Sequence, residues 1–86
     1  MAELRYKIRG YWNGELVVIG DCTGVMAYSI AKHLLVENFA GLKAREQIER
    51  QGFTLDKVQS IQLGVVTEFE VKDETGEAWV NIQREW

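Results

Sequence analysis

His33 is the one histidine of the chain, and its neighbours in sequence could make it a catalytic base. Ser29 lies one helical turn before it and Glu37 one turn after it, so a helix over this segment places all three on its polar side. A general base needs such an acidic partner and a nearby nucleophile. The same spacing arises on almost any amphipathic helix, so we favour a solvent-exposed histidine without a catalytic role.

Cys22 is the single cysteine, and it precedes a predicted helix, whose N-terminus would lower the pKa of a nearby thiol. A small thiol-dependent enzyme or ligand-binding module using Cys22 and His33 is therefore one alternative function. We favour a small buried hydrophobe instead, because His33 lies three helical turns further along and free cysteine is usually buried. A single cysteine also excludes an intramolecular disulfide and a cysteine-rich zinc site.

Two other segments carry weaker signals for ligand binding. Residues 20–24 hold two glycines at a strand-to-helix turn, but they lack the Lys-Ser/Thr end of a phosphate-binding loop and the spacing of a dinucleotide fold. Acidic residues gather around the C-terminal hairpin without the spacing of an EF-hand. We therefore predict no catalytic residue, no cofactor and no metal site.

The side chains that we expect to contact a partner lie on the outer face of a predicted sheet. Tyr and Trp are enriched at binding hot spots, and an exposed Trp on a sheet needs a reason. An acidic surface is complementary to a basic partner. The predicted partner-binding residues are Tyr11, Glu68, Glu70, Trp79, Asn81 and Gln83. The competing interpretation is a plain surface on which a basic row, Arg5, Lys7 and Arg9, pairs with the acidic row.

The clearest periodicity in the chain runs from Ile61 to Val71 and predicts one long β-strand. A polar turn over 73–77 follows, and the alternating segment 78–83 returns as a second strand. A two-residue loop would pair Phe69 with Ile82, whereas a four-residue loop would pair it with Val80. Both registers bury the same face. The inward positions of the long strand are Ile61, Leu63, Val65, Thr67, Phe69 and Val71.

The N-terminal segment alternates in the same way and predicts a first hairpin. Its inward side chains are Leu4, Tyr6 and Ile8. Asn13-Gly14 predicts a two-residue turn, since both positions of a type I′ turn require positive φ. Glu15–Ile19 returns as a strand that is apolar on both faces.

Two helices are predicted between the hairpins. The first runs from Val25 to about Phe39 and is capped by Asp21 or Thr23. The second runs from Leu42 to Gln51, and Gly52 supplies its left-handed C-terminal cap. The inward side chains of the helices are Ala27, Ile30, Ala31, Leu34, Leu35, Leu42, Ala44 and Ile48.

These elements predict an α+β fold of the order ββ-α(α)-ββ, with one or two helices packed on one face of a four-stranded sheet. If the two terminal strands lie side by side in the middle, the layout is β-grasp-like, and an antiparallel meander is the alternative. Residues 1–86 are predicted to form a single compact domain, because the chain has no linker, repeat or low-complexity segment.

The leading hypothesis is a small non-enzymatic protein-interaction module: an adaptor, regulator or inhibitor of another macromolecule, of the kind common among bacterial and phage accessory proteins. The net charge of −3 argues against nucleic-acid binding through Arg5, Lys7 and Arg9, which is the less favoured alternative. A homodimer through the strand Leu16–Ile19 is a further alternative. No signal peptide and no apolar run of membrane-spanning length is visible, so we expect a cytoplasmic protein without a membrane partner.

Overall fold

The computed structural model describes residues 4–12, 14–37, 42–74 and 76–85. Asn13 and Phe39, which the predicted turn and helix include, lie outside these ranges. The strands are β1 (Arg5–Trp12), β2 (Glu15–Cys22), β3 (Val66–Asp73) and β4 (Gly76–Glu85). The helices are α1 (Gly24–Val36), α2 (Leu42–Arg50) and α3 (Leu55–Gln59).

The four strands form one antiparallel sheet in the order β2-β1-β4-β3. Helix α1 packs on β1 and β4, while α2 packs on β3. The predicted α+β fold is therefore confirmed, with a third, short helix in addition. Of the two predicted layouts, the structure has the one in which the terminal strands β1 and β4 lie side by side in the middle.

The two hairpins fix which side chains face which side of the sheet. In the first hairpin Tyr11 lies opposite Leu16, as the two-residue turn predicts, and Gly14 of that turn has φ of +78°. In the second hairpin Phe69 pairs with Val80, which is the register of the longer loop. Pairing continues to Asp73 and Gly76, so the strands approach the turn more closely than that loop implied.

The core lies between the sheet and the helices, and it contains most of the side chains that alternation placed inward within the strands. Phe53 links the two layers, because its ring lies 4.8 Å from that of Phe69 and 5.0 Å from that of Tyr28. Leu4 is an exception to the prediction: it precedes β1 and is 40% exposed. The buried residues of the sheet are Tyr6, Ile8, Cys22, Phe69, Val71, Ala78, Val80 and Ile82, and those of the helices and their connections are Ala27, Ala31, Leu34, Leu35, Ala44, Ile48, Phe53, Val58 and Ile61.

The predicted strand beginning at Ile61 is wrong in its first half, since β3 begins only at Val66. Ile61 is buried as expected, but Leu63 and Val65 are 45% and 46% exposed. The cause is a turn in which the Val65 N–H donates to the Gln62 carbonyl at 3.0 Å. Gly64 has φ of +81° in this turn, a conformation that glycine adopts without steric cost.

Helix α1 begins and ends slightly differently from the prediction. Thr23, and not Asp21, is its N-terminal cap, because the Thr23 hydroxyl accepts from the Met26 N–H at 3.2 Å. The helix ends at Val36, with Glu37 as its C-terminal cap, which is short of the predicted end at Phe39.

Helix α2 ends at Arg50, one residue before the predicted end at Gln51, and Gly52 adopts the predicted left-handed conformation. Gly52 has φ of +76°. The N–H of Gly52 donates to the Glu49 carbonyl at 3.0 Å, and the N–H of Phe53 donates to the Ile48 carbonyl at 2.9 Å. This pair of bonds is a Schellman motif, and the accompanying apolar contact is supplied by Ile48 and Phe53, both buried.

Candidate functional site

The outer face of the sheet, which is the face opposite the helices, carries all six predicted partner-binding residues. The pairing register arranges them in cross-strand rows. One row runs Val18, Arg9, Asn81, Glu68 from β2 to β3, and the next carries Leu16, Tyr11, Trp79 and Glu70. Tyr11, Glu68 and Glu70 are exposed, and Trp79, Asn81 and Gln83 are half-buried.

Tyr11 and Trp79 form an aromatic pair on this outer face, on the neighbouring strands β1 and β4. Their ring centroids lie 5.2 Å apart at an interplanar angle of 70°, which is edge-to-face packing. Such a pair contributes about 0.5–1.5 kcal/mol beyond its buried area. A Cβ atom on the adjacent Gly10 would lie 2.9 Å from the Trp79 carbonyl oxygen, so the absence of a side chain lets β1 and β4 approach closely here. The two rings therefore project from closely packed backbone.

Four charged residues of the outer face form two separate columns. Lys7 and Arg9 stand on β1, whereas Glu68 and Glu70 stand on β3. The predicted direct pairing of a basic row with an acidic row is wrong, because β4 lies between those strands and adjacent strands are about 4.8 Å apart. None of the ion pairs among the described residues joins the two columns. Both columns remain available to a partner.

A concavity on the outer face extends from the basic column on β1 across β4 to the start of β3. Its volume is about 190 Å³, and it is lined by Lys7, Arg9, Val66, Asn81 and Gln83. Small-molecule sites usually measure about 300–1,000 Å³. This concavity is thus the size of a protein side chain, and its two cations favour an acidic one.

The edge of β3 is covered by the side chains of Gln47 on α2 and of Gln51, the residue that follows α2, a feature that sequence reasoning missed. The Gln51 amide donates to the Glu70 carbonyl at 2.6 Å and accepts from the Glu70 N–H at 3.0 Å. The Gln47 amide binds Lys72 in the same way, at 2.7 Å and 2.9 Å. These glutamines take the place of a neighbouring strand. The available signal was their spacing of four residues on a polar helix, which alone does not distinguish them from solvated side chains.

Cys22 is buried, and a β-bulge is the reason. Residues 20–24 were predicted to break the strand, but β2 continues to Cys22 with one extra residue, so that Ile8 pairs with Ile19 and Tyr6 pairs with Cys22. Asp21 occupies the bulge with φ of +57°. The extra residue reverses the alternation and turns Cys22 inward, where it is 1% exposed.

The environment of Cys22 opposes thiolate chemistry. Burial, and to a smaller extent the nearby Asp21 carboxylate, raise the pKa of the Cys22 thiol. Its Sγ donates to the Gly20 carbonyl at 3.6 Å. A nucleophilic thiol needs a lowered pKa, so the direction of this change is the reverse of what the thiol-dependent alternative requires.

His33 lies in the last turn of α1, on the exposed side of the helix. Its Nδ1 lies 3.6 Å from Glu37 Oε1, and both side chains are at least half exposed. Cys22 precedes the first turn of the same helix, so the helical rise separates it from His33 by about 15 Å. The structure therefore does not bring the two candidate catalytic residues together.

Within the described ranges, no three His, Cys, Asp or Glu side chains are arranged to hold a metal ion. None of the helices described has the length and apolar character needed to span a bilayer. Comparison with family models, curated proteins and solved structures found no match to this chain.

Proposed function

We propose that this chain is a small non-enzymatic protein-interaction module, an adaptor, regulator or inhibitor that docks on another protein through the outer face of its sheet. The observation that supports this proposal is the Tyr11–Trp79 pair, which joins β1, the strand of the basic column, to β4, the strand next to the acidic column on β3. An aromatic pair flanked by charged residues is the usual composition of a binding hot spot and its rim.

The chemistry of the face favours a protein partner with a basic surface. Glu68 and Glu70 are exposed on β3, so a cationic patch opposite them gains attraction, whereas a nucleic-acid backbone would be repelled. An acidic side chain of the same partner fits the concavity beside Lys7 and Arg9. Two columns of opposite sign fix the orientation of the partner, since a reversed docking would place like charges together.

A cytoplasmic role of the kind filled by bacterial and phage accessory proteins agrees with the size of the chain and with the prediction from its sequence. The thiol-dependent alternative has less support, because the pKa of Cys22 is raised and His33 lies at the other end of α1. We therefore propose no catalytic residue.

The test is affinity capture from native-host extract with the intact chain, followed by binding measurements on the purified captured protein. Trp79→Ala removes the aromatic centre, and Glu70→Lys reverses one charge of the acidic column. Met26→Ala and Glu49→Lys are matched controls, because both residues are exposed on helices on the opposite side of the sheet.

We expect Trp79→Ala to weaken binding by about 30-fold or more, which is the effect of losing a hot spot of about 2 kcal/mol. Glu70→Lys should weaken binding mainly through slower association and should lower its dependence on salt. The controls should bind like the unaltered chain. Full binding by both outer-face variants, with circular dichroism unchanged, would refute the assignment of this surface.

A further inference from the structure

The two edges of the sheet differ in how many of their outward-facing backbone N–H and C=O groups are hydrogen-bonded. At the β3 edge, Gln47 and Gln51 bind the N–H and C=O groups of Lys72 and Glu70. At the β2 edge, the described backbone groups make one hydrogen bond apart from those that pair β2 with β1. It is the weak contact from Cys22 Sγ to the Gly20 carbonyl. Among the described residues, the β3 edge is closed to an added strand at Glu70 and Lys72, whereas the β2 edge is open to one.

The centre of β2 lacks the charged residues and proline that usually protect an edge strand. Its central residues, Leu16 to Ile19, include no proline and no charge, although charged residues and proline are the common means of blocking edge pairing. Leu16 and Val18 are 52% and 48% exposed on the outer face. The bulge at Asp21 limits the regular part of the edge to Glu15–Ile19.

The hairpin register identifies the outward-facing backbone groups. Trp12 and Glu15 close the turn, so this pair carries hydrogen bonds between β1 and β2. Bonded and non-bonded pairs alternate along an antiparallel ladder. The N–H and C=O groups of Leu16 and Val18 therefore point away from β1, towards the open edge.

We infer that the open edge of β2 pairs with β2 of a second copy of this chain, in an antiparallel register centred on Val17. This pairing sets Leu16 beside Val18 of the copy, so each outward N–H and C=O of these residues meets a partner. Apolar side chains then meet apolar side chains on both faces, and the two four-stranded sheets join into one. The inference concerns a different surface from the proposed partner-docking face and does not depend on it.

The positions of the charged residues in β2 favour a second copy of the chain as the added strand and favour the register centred on Val17. Glu15 and Asp21 are the charged residues of β2 and lie near its two ends. Centring on Val17 sets Glu15 opposite Ile19 of the copy, whereas a shift to Val18 would bring Glu15 towards Asp21 of the copy and oppose like charges. A two-fold axis at Val17 thus matches the apolar centre of the strand with itself and keeps the acidic ends apart.

Sedimentation equilibrium of the full chain at up to about 1 mM, the weak end of the affinity scale, tests the association. We expect a species of twice the 9.9 kDa mass of the chain. Val18→Pro removes an outward N–H and should leave a folded monomer, whereas Val18→Thr keeps that N–H and should remain dimeric. Trp79→Ala and Glu70→Lys should also remain dimeric, which separates this inference from the docking proposal.

A cysteine at the two-fold axis tests the register and does not require a proline variant to fold. In Val17→Cys, the new thiols form a non-bonded antiparallel pair with Cα atoms about 4.5 Å apart, which suits a disulfide. Mild oxidation should crosslink this variant. The unaltered chain should not crosslink, because Cys22 is buried. Leu16→Cys should not either, since its thiols would lie about 9 Å apart in Cα distance.

A monomer at about 1 mM would overturn the inference, as would crosslinking of Leu16→Cys but not of Val17→Cys. A further result would also overturn the inference. If the Leu16 and Val18 amides are protected from hydrogen exchange only when the captured partner protein is bound, the β2 edge binds that partner and not a second copy of the chain.

Discussion

The side-chain amide of Gln51 binds both backbone groups of Glu70, donating to its carbonyl at 2.6 Å and accepting from its N–H at 3.0 Å. Glu70 is also one of the two acids in the exposed acidic column. The residue after α2 that closes the β3 edge therefore also fixes the backbone from which this acidic column projects. Stability and the proposed docking surface are coupled at this point.

We predict that Gln51→Ala lowers the free energy of unfolding by about 1–2 kcal/mol, because two hydrogen bonds are lost and each has a net contribution of about 0.5–1.5 kcal/mol after exchange with water. Gln47→Ala should have a similar effect, since Gln47 binds Lys72 in the same way. Urea denaturation followed by circular dichroism measures both. Gln62→Ala, an exposed glutamine in the turn before β3, is the matched control and should change stability by less than about 0.5 kcal/mol. Equal stability of all three variants would contradict the role of the two glutamines.

The effect of Gly10 on the Trp79 backbone gives a second prediction. Gly10→Ala should destabilise the fold by about 1–3 kcal/mol, because its Cβ would lie 2.9 Å from the Trp79 carbonyl oxygen and 3.0 Å from a Val80 methyl carbon. The near-ultraviolet circular dichroism of the aromatic pair should change as well.

Gly20→Ala is the control for Gly10→Ala, since a Cβ there meets no atom within 4 Å. It should be neutral or slightly stabilising, because alanine reduces the entropy of the unfolded chain. Thermal denaturation of both variants decides the matter. A Gly10→Ala protein as stable as Gly20→Ala would show that β1 and β4 can separate without cost at this position.

The local patterns of the sequence were enough to predict both hairpins, α1 and the buried face of the sheet. Alternation at Tyr6 and Ile8 and at Phe69 and Val71 places side chains on the correct face because a strand has a period of two. The Asn13-Gly14 turn then fixes the register of the first hairpin. The candidate surface residues followed from this face assignment, although their function is still a prediction.

The features that the sequence did not reveal depend on contacts between distant residues or on backbone conformation. Gln47 and Gln51 contact residues on β3, and neither type nor spacing indicates such a partner. Leu63 and Val65 continue an alternating pattern, but the positive φ of Gly64 turns the chain away from the sheet. Asp21 adds a residue to β2. Once a strand contains such a bulge, the sequence alone does not show which face of the sheet the following side chains occupy.

The bulge gives a third prediction, since Asp21 holds φ of +57°. Asp21→Val should lower the free energy of unfolding by about 1–2 kcal/mol, because a β-branched residue is strained in this conformation. Asp21→Gly should be neutral or stabilising. Loss of the Arg5 contact at 3.4 Å matters little, since the Asp21 side chain is 83% exposed. Glu15→Val on the same strand is the control and should be near neutral in chemical denaturation. The prediction fails if Asp21→Val and Glu15→Val are equally stable.

The raised pKa of Cys22 makes stability depend on pH in a defined direction. The folded pKa lies above the unfolded value of 9.0, so the folded state holds this proton more tightly. The stabilisation that results is complete below pH 9.0 and is lost as pH rises through the folded pKa. We expect the free energy of unfolding to fall above that pH more steeply for the unaltered chain than for Cys22→Ala.

Alkylation by iodoacetamide provides an independent measurement on the same thiol. The folded chain should react far more slowly at pH 8 than the chain in denaturant, since Cys22 is 1% exposed. Rapid labelling of the folded chain, with a lowered apparent pKa, would reopen the thiol-dependent alternative.

The most direct measurement of the proposed function is nuclear magnetic resonance of the isotope-labelled chain, titrated with the purified captured partner. The account predicts that the largest shifts occur at the Trp79 indole N–H and at the amides of Glu68, Glu70 and Asn81, with the exposed faces of α1 and α2 little changed. Shifts confined to those helices, with the Trp79 indole unmoved at saturation, would contradict it.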